Sequence, residues 1–504
     1  MTYRTLAIVG GGAVAASTLY SIAHLRQTLL HRFSEILVFD PSRSVGPGMV
    51  YSPDDDRLLL NRTIGRMSID KDRQNDFAAW MVEFRPKLAA LCGQQDNLDW
   101  EDTYAARGLF GQYLSARVSE AAQTLIKRGI QYHHVQTSVT SIDRDHTSGF
   151  HLTAGSGQRH RADVVLLATG HGPPASFPHL HSHPQYHETP FPLSRFNDLP
   201  SGARVGVIGS RLTAIDFAMT VAMDRPDIET YFLTRSGYLP VAGRAGQPHQ
   251  LSPRAKALIA RAERDPSSSL SPARMLAELN AELAYASYSA KATLWPPLDD
   301  LVHDTSSLSR SIYQAEAGGR PWQAVLAALL EHFNTLWRVV PPKERAFFKT
   351  RHWSLFEALR VSMPVENAKK LEMMLHLGRI RSLSGLREVE ITPKGFRAHF
   401  AQGTNRDPLD LAATINCSGT GDGHAKSSLY MSMMRTGLVG SDSDGLISVQ
   451  NNTHRVFQPN GTPAPDLFAV GEMARNSHMI ISSLTVLQRQ ILEMLDVLES
   501  LPAL

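Results

Sequence analysis

The chain has 504 residues, enough for two or three domains with buried cores. Its 51 basic side chains nearly balance 48 acidic ones and form no block of like charge, which argues against nucleic acid as a partner. The two cysteines, Cys92 and Cys417, form no CxxC pair, which excludes a disulfide framework and a cysteine redox centre; any redox chemistry must come from a bound cofactor.

Arg4 and the following LAIVGGGAVAASTL have the outline of a signal peptide. Three consecutive glycines would break the helix such a peptide needs, and no run of 18 apolar residues occurs elsewhere, so a soluble cytoplasmic protein is expected, without a membrane partner. The stretch RTLAIVGGGAVAASTLYSIAHL reads instead as a β-branched strand, a glycine turn and an apolar-periodic helix. Gly10 permits the tight turn, Gly12 lets the backbone approach a pyrophosphate, and Ala15 is the small residue at the helix–strand contact. The N–H groups at the helix start would face the phosphates. A second strand, EILVFD, ends in Asp40, placed to accept hydrogen bonds from a ribose diol. The alternative is a tight turn in an ordinary α/β domain.

Further along, DVVLLATGHG (163–172) is an apolar strand running into Thr169 and Gly170. LAATINCSGTG (411–421) repeats that shape around Ser418 and Gly419, and each follows a polar, strand-rich stretch. The order of glycine turn, meander and apolar strand ending in glycine thus occurs twice. The predicted fold is α/β, with two Rossmann-like dinucleotide-binding domains and a chain that returns to the first at its end.

With these pieces in place the sequence resembles the two-dinucleotide-domain flavoproteins that include flavin monooxygenases and N-hydroxylating amine monooxygenases. Further pieces similar to an FAD/NAD(P)-binding branch are GPGMVY (46–51), LLLNRTIGRMS (58–68), YAARGLFGQYL (104–114) and LFAVGEMAR (467–475). The resemblance implies FAD at the first turn and NADPH at the second. It puts Gly10, Gly12, Ala15 and Asp40 on the FAD nucleotide and counts Gly170, at a crossing between domains, among the FAD-binding residues. It places Asn61 and Met67 beside the flavin ring and Arg107 near the FAD phosphates or ring; a loop cap and a surface ion pair are the alternatives for Asn61 and Arg107. Gly471 and Glu472 stand where Gly-Asp contacts the ribityl chain in the wider superfamily, and glutamate is the longer side chain. The amides of Ser482 and Ser483, opening a helix, would stabilise negative charge on a reduced flavin, or simply cap that helix.

The second turn, ARVGVIGSRLTAIDFA, keeps Gly209 first and Ala214 third but has Arg211 in the middle; Gly209, Ser210, Arg211 and Thr213 are the residues expected on NADPH there. A Cβ at 211 keeps a dinucleotide from lying as close as on Gly12, while a guanidinium offers two parallel N–H groups to phosphate oxygens. Arg211 therefore either receives the pyrophosphate or closes the site. The following strand, ETYFLTRSG, has Thr234 where the first half has Asp40, followed by Arg235 and Ser236. Losing the acid and gaining an arginine is the pattern of a 2′-phosphate, hence NADPH; the alternative is a solvated Arg235.

Gly10 and Gly170 are 160 positions apart, whereas Gly209 and Gly419 are 210 apart. The excess fits a helical insertion carrying four of the six tryptophans, Trp295, Trp322, Trp337 and Trp353, expected mostly as core. The expected domains are FAD-binding at 1–175 and 420–504, NAD(P)-binding at 200–250 and 376–419, and the insertion at 251–375 as a substrate or lid region. Arg345, Lys349, Arg351 and Arg360 are candidates for a substrate carboxylate or for exposed helix faces. His133 and His134 match no metal spacing, and HExxH and a strand-to-helix GxSxG are absent, so no metal is expected.

The expected activity is an NADPH-dependent flavin monooxygenase. It would act through a C4a-(hydro)peroxyflavin on a small nucleophilic substrate with O2; by resemblance the atom oxidised is the nitrogen of an amine or amino acid. An FAD-dependent reductase or oxidase without oxygen insertion is the first alternative. A non-catalytic flavin-binding protein with a closed second site is the other.

Overall fold

A computed structural model describes residues 5–52, 54–84, 103–146, 148–172, 174, 176–243, 248–265, 267–286, 295, 297–404, 406–419, 427–441 and 446–500. Cys92 and the last two residues of the repeat at 411–421 lie outside them. The chain divides into two units, Met1–Asp56 with Arg62–Gly172 and Asp422–Leu504, and Arg57–Asn61 with Pro173–Gly421.

The first unit opens with β1 (Thr5–Val9), helix α1 (Ala13–Tyr20) and β2 (Glu35–Phe39). Every residue of β1 is buried, as its unbroken TLAIV run requires of a strand covered on both faces. It pairs in parallel with β2, from Thr5 opposite Glu35 to Val9 opposite Phe39. Helices α2 (Asp76–Phe84) and α3 (Arg107–Lys127) lead to β3 (Gln131–Val135). An antiparallel meander follows, β4 (Val139–Arg144), β5 (Phe150–Ala154) and β6 (Arg159–Ala162), and then β7 (Val164–Leu167) returns beside β1.

The second unit contains β8 (Tyr186–His187), β9 (Arg204–Ile208), α4 (Leu212–Asp224), β10 (Glu229–Leu233) and the short β11 (Ala242–Gly243). Seven helices come next: α5 (Pro253–Arg264), α6 (Pro272–Ala286), α7 (Thr305–Glu316), α8 (Pro321–Leu329), α9 (Phe333–Arg338), α10 (Pro342–Arg351) and α11 (Trp353–Arg360). Then β12 (Met363–Pro364) and α12 (Val365–His376) lead into β13 (Ile380–Leu383). A second meander, β14 (Leu386–Thr392), β15 (Gly395–Phe400) and β16 (Leu409–Leu411), precedes β17 (Ala413–Asn416). The chain ends in the first unit with α13 (Ser428–Arg435), β18 (Arg455–Phe457), β19 (Pro463–Ala469) and α14 (Leu484–Ser500).

The first sheet has the order β18-β19-β7-β1-β2-β3 and the second β13-β10-β9-β17-β8. Strands β1, β2, β3 and β7 thus have counterparts in β9, β10, β13 and β17, each set parallel and each accompanied by a three-stranded meander. The duplicated order legible in the sequence is two doubly wound sheets. Each has its own core: Val9, Phe39, Leu167, Phe150 and Leu467 in the first, Ile208, Leu233, Phe396 and Leu411 in the second.

The helical segment also builds a core. Trp322 and Trp337 are buried, as expected of core aromatics, whereas Trp295 and Trp353 are only half-buried. Trp322 Nε1 donates to Asp300 Oδ2 at 2.7 Å, and Arg320 Nε stands 3.2 Å from Asp300 Oδ1, so a buried arginine is neutralised beside the indole. Among the described residues no helix is long and apolar enough to cross a membrane.

In the first unit a buried polar network fixes the loop that leads from β2 into α2. The Tyr113 hydroxyl donates to Asp76 Oδ2 at 2.7 Å and accepts the Ile69 N–H at 3.0 Å. Arg117 grips the same carboxylate with Nε at 2.8 Å and Nη2 at 3.0 Å. Burial, and then the Asp76 charge, push the Tyr113 phenol far above its usual range, which keeps it a donor. The Asp76 side chain is 1% exposed, so Arg117→Ala leaves a buried carboxylate short of its main countercharge. The expected loss is about 3 kcal/mol, read as a lower urea midpoint with unchanged m-value.

Candidate dinucleotide sites

The first turn is built on close backbone approach. Gly10 has φ +111°, and a Cβ there would fall 2.1 Å from the Ala168 carbonyl oxygen on the strand crossing beside it. Its N–H donates to Phe39 O at 2.9 Å, which ties the turn to β2. The neighbouring Gly11 N–H donates to Asp40 Oδ2 at 2.7 Å, and a Cβ on Gly11 would lie 2.7 Å from Asp40 Cβ. Sequence reasoning passed over Gly11, although GGG at this point was the available signal. Asp40 Oδ1 accepts the Ser42 N–H at 2.8 Å, and a carboxylate with about four lone-pair positions keeps room for ribose hydroxyls.

Gly12 stands at the N-cap of α1, which no side chain caps and whose first turn holds no acid; Ala15 is fully buried behind it. The GPGMVY segment lies alongside: Gly46 N–H donates to Gly11 O at 2.7 Å, and a Cβ on Gly48 would stand 3.1 Å from Gly12 Cα. Gly111 of α3 admits the Tyr51 carbonyl, which a Cβ would meet at 2.0 Å. Such a side-chain-free, uncapped helix start with an acid beside it fits the pyrophosphate and ribose of a dinucleotide.

Several of the expected residues lie in the first unit. Met67 is buried in the loop pinned by Tyr113, and that loop is joined to α14 by Arg62 Nη1 on Thr485 Oγ1 at 2.6 Å and by Gln488 Nε2 on Ser68 O. The loop and the Ser482–Ser483 pair are thereby held at the same end of α14. Ser482 is exposed, while the Ser483 hydroxyl has a buried oxygen with no hydrogen-bond partner among the described residues. Arg107 is the first residue of α3. Asn61 is exposed and is assigned to the second unit.

Gly170 and Gly471 both have positive φ, +69° and +72°, at the carboxyl ends of the adjacent strands β7 and β19. Gly471 N–H donates to Gln490 Oε1 at 3.2 Å. Glu472 is buried, with Oε1 2.9 Å from His171 Nδ1 and Oε2 4.0 Å from Arg475 Nη1. The longer side chain at this position is therefore engaged by the residue after Gly170, a pairing across 301 positions with no local sequence signal.

The second turn has the same backbone. Gly209 has φ +111°, its N–H donates to Leu233 O at 3.0 Å, and a Cβ there would meet Cys417 O at 2.6 Å. Arg211 occupies the N-cap of α4 with φ −88° and ψ −175°, close to the −84° and −159° of Gly12, an extended conformation open to any residue. Thr213 is the second residue of α4. The Ser210 hydroxyl donates to Tyr238 O at 2.6 Å, so it is committed within its own loop.

Arg211 Nη2 donates to the backbone oxygen of Ser354 in α11 at 2.5 Å, and Nη1 is buried without a partner among the described residues. Burial lowers the guanidinium to about 10, with Glu357 opposing and Arg360 adding to the shift, so the group is charged at neutral pH. Thr234 Oγ1 accepts the Gly237 N–H at 2.8 Å, and Arg235 and Ser236 are exposed at the end of β10. The Ser236 and Ser354 hydroxyls stand 3.1 Å apart.

Of the basic residues in the helices, Arg360 is held by Glu357 at 2.8 and 3.0 Å, and burial lowers Arg345. Arg345, Lys349 and Arg351 lie on α10 and Arg360 ends α11. The Cys417 thiol is buried and pushed far up, which removes it from nucleophilic chemistry. Among the described residues no three His, Cys, Asp or Glu side chains are grouped to hold a metal.

Residues 7–172 match a family model described as FAD-NAD(P)-binding. This stretch is an FAD/NAD(P)-binding domain. No curated protein sequence matches the chain. Solved structures do match along its whole length. L-lysine 6-monooxygenase from Pseudomonas syringae aligns with TM-score 0.58 and 14% identity over 99% of this chain and 100% of that one. The reduced form of ornithine hydroxylase from Pseudomonas aeruginosa gives 0.54 and 13% over 99% of both chains. An ornithine N-hydroxylase from Kutzneria sp. 744, described with reduced FAD, NADP+ and L-ornithine, gives 0.53 and 16%, again over 99% of both. The chain has the two-dinucleotide-domain fold of these flavin monooxygenases.

Two measurements test the FAD/NAD(P)-binding unit. Gly11→Ala drives a Cβ into Asp40, so the purified protein should retain at least about ten-fold less FAD at equal concentration while Gly48→Ala, whose clash is milder, loses less. The second concerns α14, where His454 Nε2 pairs with Glu493 Oε2 at 2.9 Å and the His478 ring lies 5.4 Å from that of His454. Burial, and then His454, lower the His478 imidazole from 6.5 to about 3. A depressed histidine contributes stability that is complete above pH 6.5 and is lost as pH falls toward 3, with a slope of up to about 1.4 kcal/mol per pH unit. Burial works to raise Glu493, but hydrogen bonds from His454 and Arg489 prevail and hold it at about 2, so its own loss begins only below its ordinary 4.5. Denaturation between pH 6.5 and 4.5 should therefore show a falling stability in the natural protein and a flatter curve in His478→Leu.

Proposed function

We propose that the protein is an NADPH-dependent flavin monooxygenase that hydroxylates the nitrogen of a small amine or amino acid. The observation that carries this reading is the contrast between the two equivalent strand ends: Asp40 after β2, tied to its glycine turn, and Thr234–Arg235–Ser236 after β10. An acid repels a 2′-phosphate and suits the ribose diol of FAD. An arginine with flanking hydroxyls suits the extra phosphate of NADPH.

In this reading the Gly10–Gly12 turn and the start of α1 hold the FAD pyrophosphate, and Asp40 takes the ribose hydroxyls with its remaining lone pairs. The Met67 loop, fixed by Tyr113 and Gln488, lines the flavin and keeps water from it. The first amides of α14 and the unpartnered Ser483 hydroxyl supply donors toward negative charge on the reduced ring. Glu472, with one oxygen 2.9 Å from His171 Nδ1 and the other 4.0 Å from Arg475 Nη1, is turned toward these side chains. FAD held by these residues would supply the redox chemistry, hydride acceptance from NADPH and activation of O2, which this chain's own side chains do not provide. Similarity of fold to enzymes named for lysine and ornithine supports the amine class.

A second reading, a flavoprotein without nicotinamide turnover, is favoured by one observation, the engagement of Arg211 by Ser354. Anaerobic stopped-flow absorbance of the FAD-loaded protein separates the two. The proposed function requires bleaching by NADPH faster than by NADH, with Arg235→Ala losing about ten-fold of that preference, followed by amine-dependent oxygen uptake yielding a hydroxylamine. Absence of bleaching by either nucleotide, with and without a panel of small amines, sinks it.

A further inference from the structure

The backbone of the second turn repeats that of the first, so the arginine in its middle is not needed for the turn itself. What it adds is a tether. Arg211 Nη2 donates to Ser354 O at 2.5 Å, and the same residue's hydroxyl stands 3.1 Å from Ser236 Oγ. One residue of α11 thus touches both the position where a pyrophosphate would be received and the position where a 2′-phosphate would be received. The adenosine half of a dinucleotide, running from one to the other, needs the place that Ser354 occupies.

The tether is also poorly satisfied. Arg211 is half-buried, its Nη1 is buried with no hydrogen-bond partner among the described residues, and Glu357, the carboxylate whose charge it feels, is taken up by Nε and Nη2 of Arg360 at 2.8 and 3.0 Å. A bare N–H on a buried charge costs free energy and is kept where another state of the molecule satisfies it.

We propose that Arg211 is a catch rather than a phosphate ligand: it holds α11 across the second dinucleotide site, so that this helix and the nicotinamide nucleotide compete for the same residues. The proposal rests on the reading of the second turn as a nicotinamide-nucleotide site. Its consequence is a linkage. The apparent dissociation constant of the nucleotide is the intrinsic one divided by the fraction of molecules with α11 released. Whatever draws α11 away, a substrate held in the helical segment included, tightens nucleotide binding by the factor with which the nucleotide favours that substrate.

The test uses the full-length, FAD-loaded protein with NADP+ as probe, and compares the natural chain with Arg211→Met, which removes the guanidinium but keeps the Cβ. Calorimetric titration should show NADP+ binding at least about ten-fold tighter in R211M, because the catch is gone. A phosphate-binding arginine gives the opposite sign. In the natural protein, saturating NADP+ should accelerate amide hydrogen exchange in residues 353–360, a readout that does not depend on the variant folding. Equal or weaker binding by R211M overturns the catch, as does exchange in 353–360 that stays unchanged or slows. If neither protein binds NADP+, the second turn is not a nicotinamide site and both readings fall; binding by both with equal affinity removes the catch alone.

Discussion

A steric exclusion at two main-chain oxygens organises the whole chain. The carbonyls of Ala168 and Cys417 occupy the space that a side chain would need at Gly10 and Gly209, at 2.1 and 2.6 Å from the positions of a Cβ. The crossing strand can pack there only because the turn residue has none and can adopt φ near +111°. That approach fixes the order of strands at the centre of each sheet. It also aims the following helix start at the sheet's carboxyl edge, where open α/β folds bind nucleotides. Everything proposed for either site depends on this geometry being present twice.

The parts of this arrangement set by local rules were readable in sequence. Unbroken apolar runs such as TLAIV and VVLL predict strands buried on both faces, GGG and VIGS predict the turns, and the residues after EILVF and ETYFL predict the opposite charge preferences of the two strand ends. The repeat was visible because it duplicates order rather than identity. What was not readable are contacts made by residues far apart in the chain. Arg211 and Ser354 are separated by 143 positions, and His171 and Glu472 by 301. No periodicity encodes a pair of that kind. From sequence, Arg211 had two open roles, and Glu472 was a departure from a pattern without a stated partner.

Smaller misses have the same origin. Gly11 is required because Asp40 packs against it, and Gly111 because the Tyr51 carbonyl enters α3 there; neither glycine announces a partner in its own neighbourhood. Ser210 belongs to the turn by position, yet its hydroxyl is spent on Tyr238 O, a contact decided by the path of the loop after β10. Helical spacing predicted buried tryptophans, and Trp322 and Trp337 follow it, whereas Trp295 and Trp353 are half-buried.

The path of the helical segment out of the second sheet and back has a consequence of its own. The chain leaves along β11 and returns along β12, and these two-residue strands pair in parallel, Ala242 with Met363 and Gly243 with Pro364. Beyond them β10 and β13 remain direct neighbours, Thr230 opposite Ile380, with α12 as their crossover. The helices of this segment therefore hang from a narrow neck in one connection of an otherwise intact sheet, and loop-closure entropy rises only slowly with the length of such an excursion. The segment is in effect a cassette: its helices can be exchanged over evolutionary time, or by design, without altering the register of a single strand in the sheet that carries it.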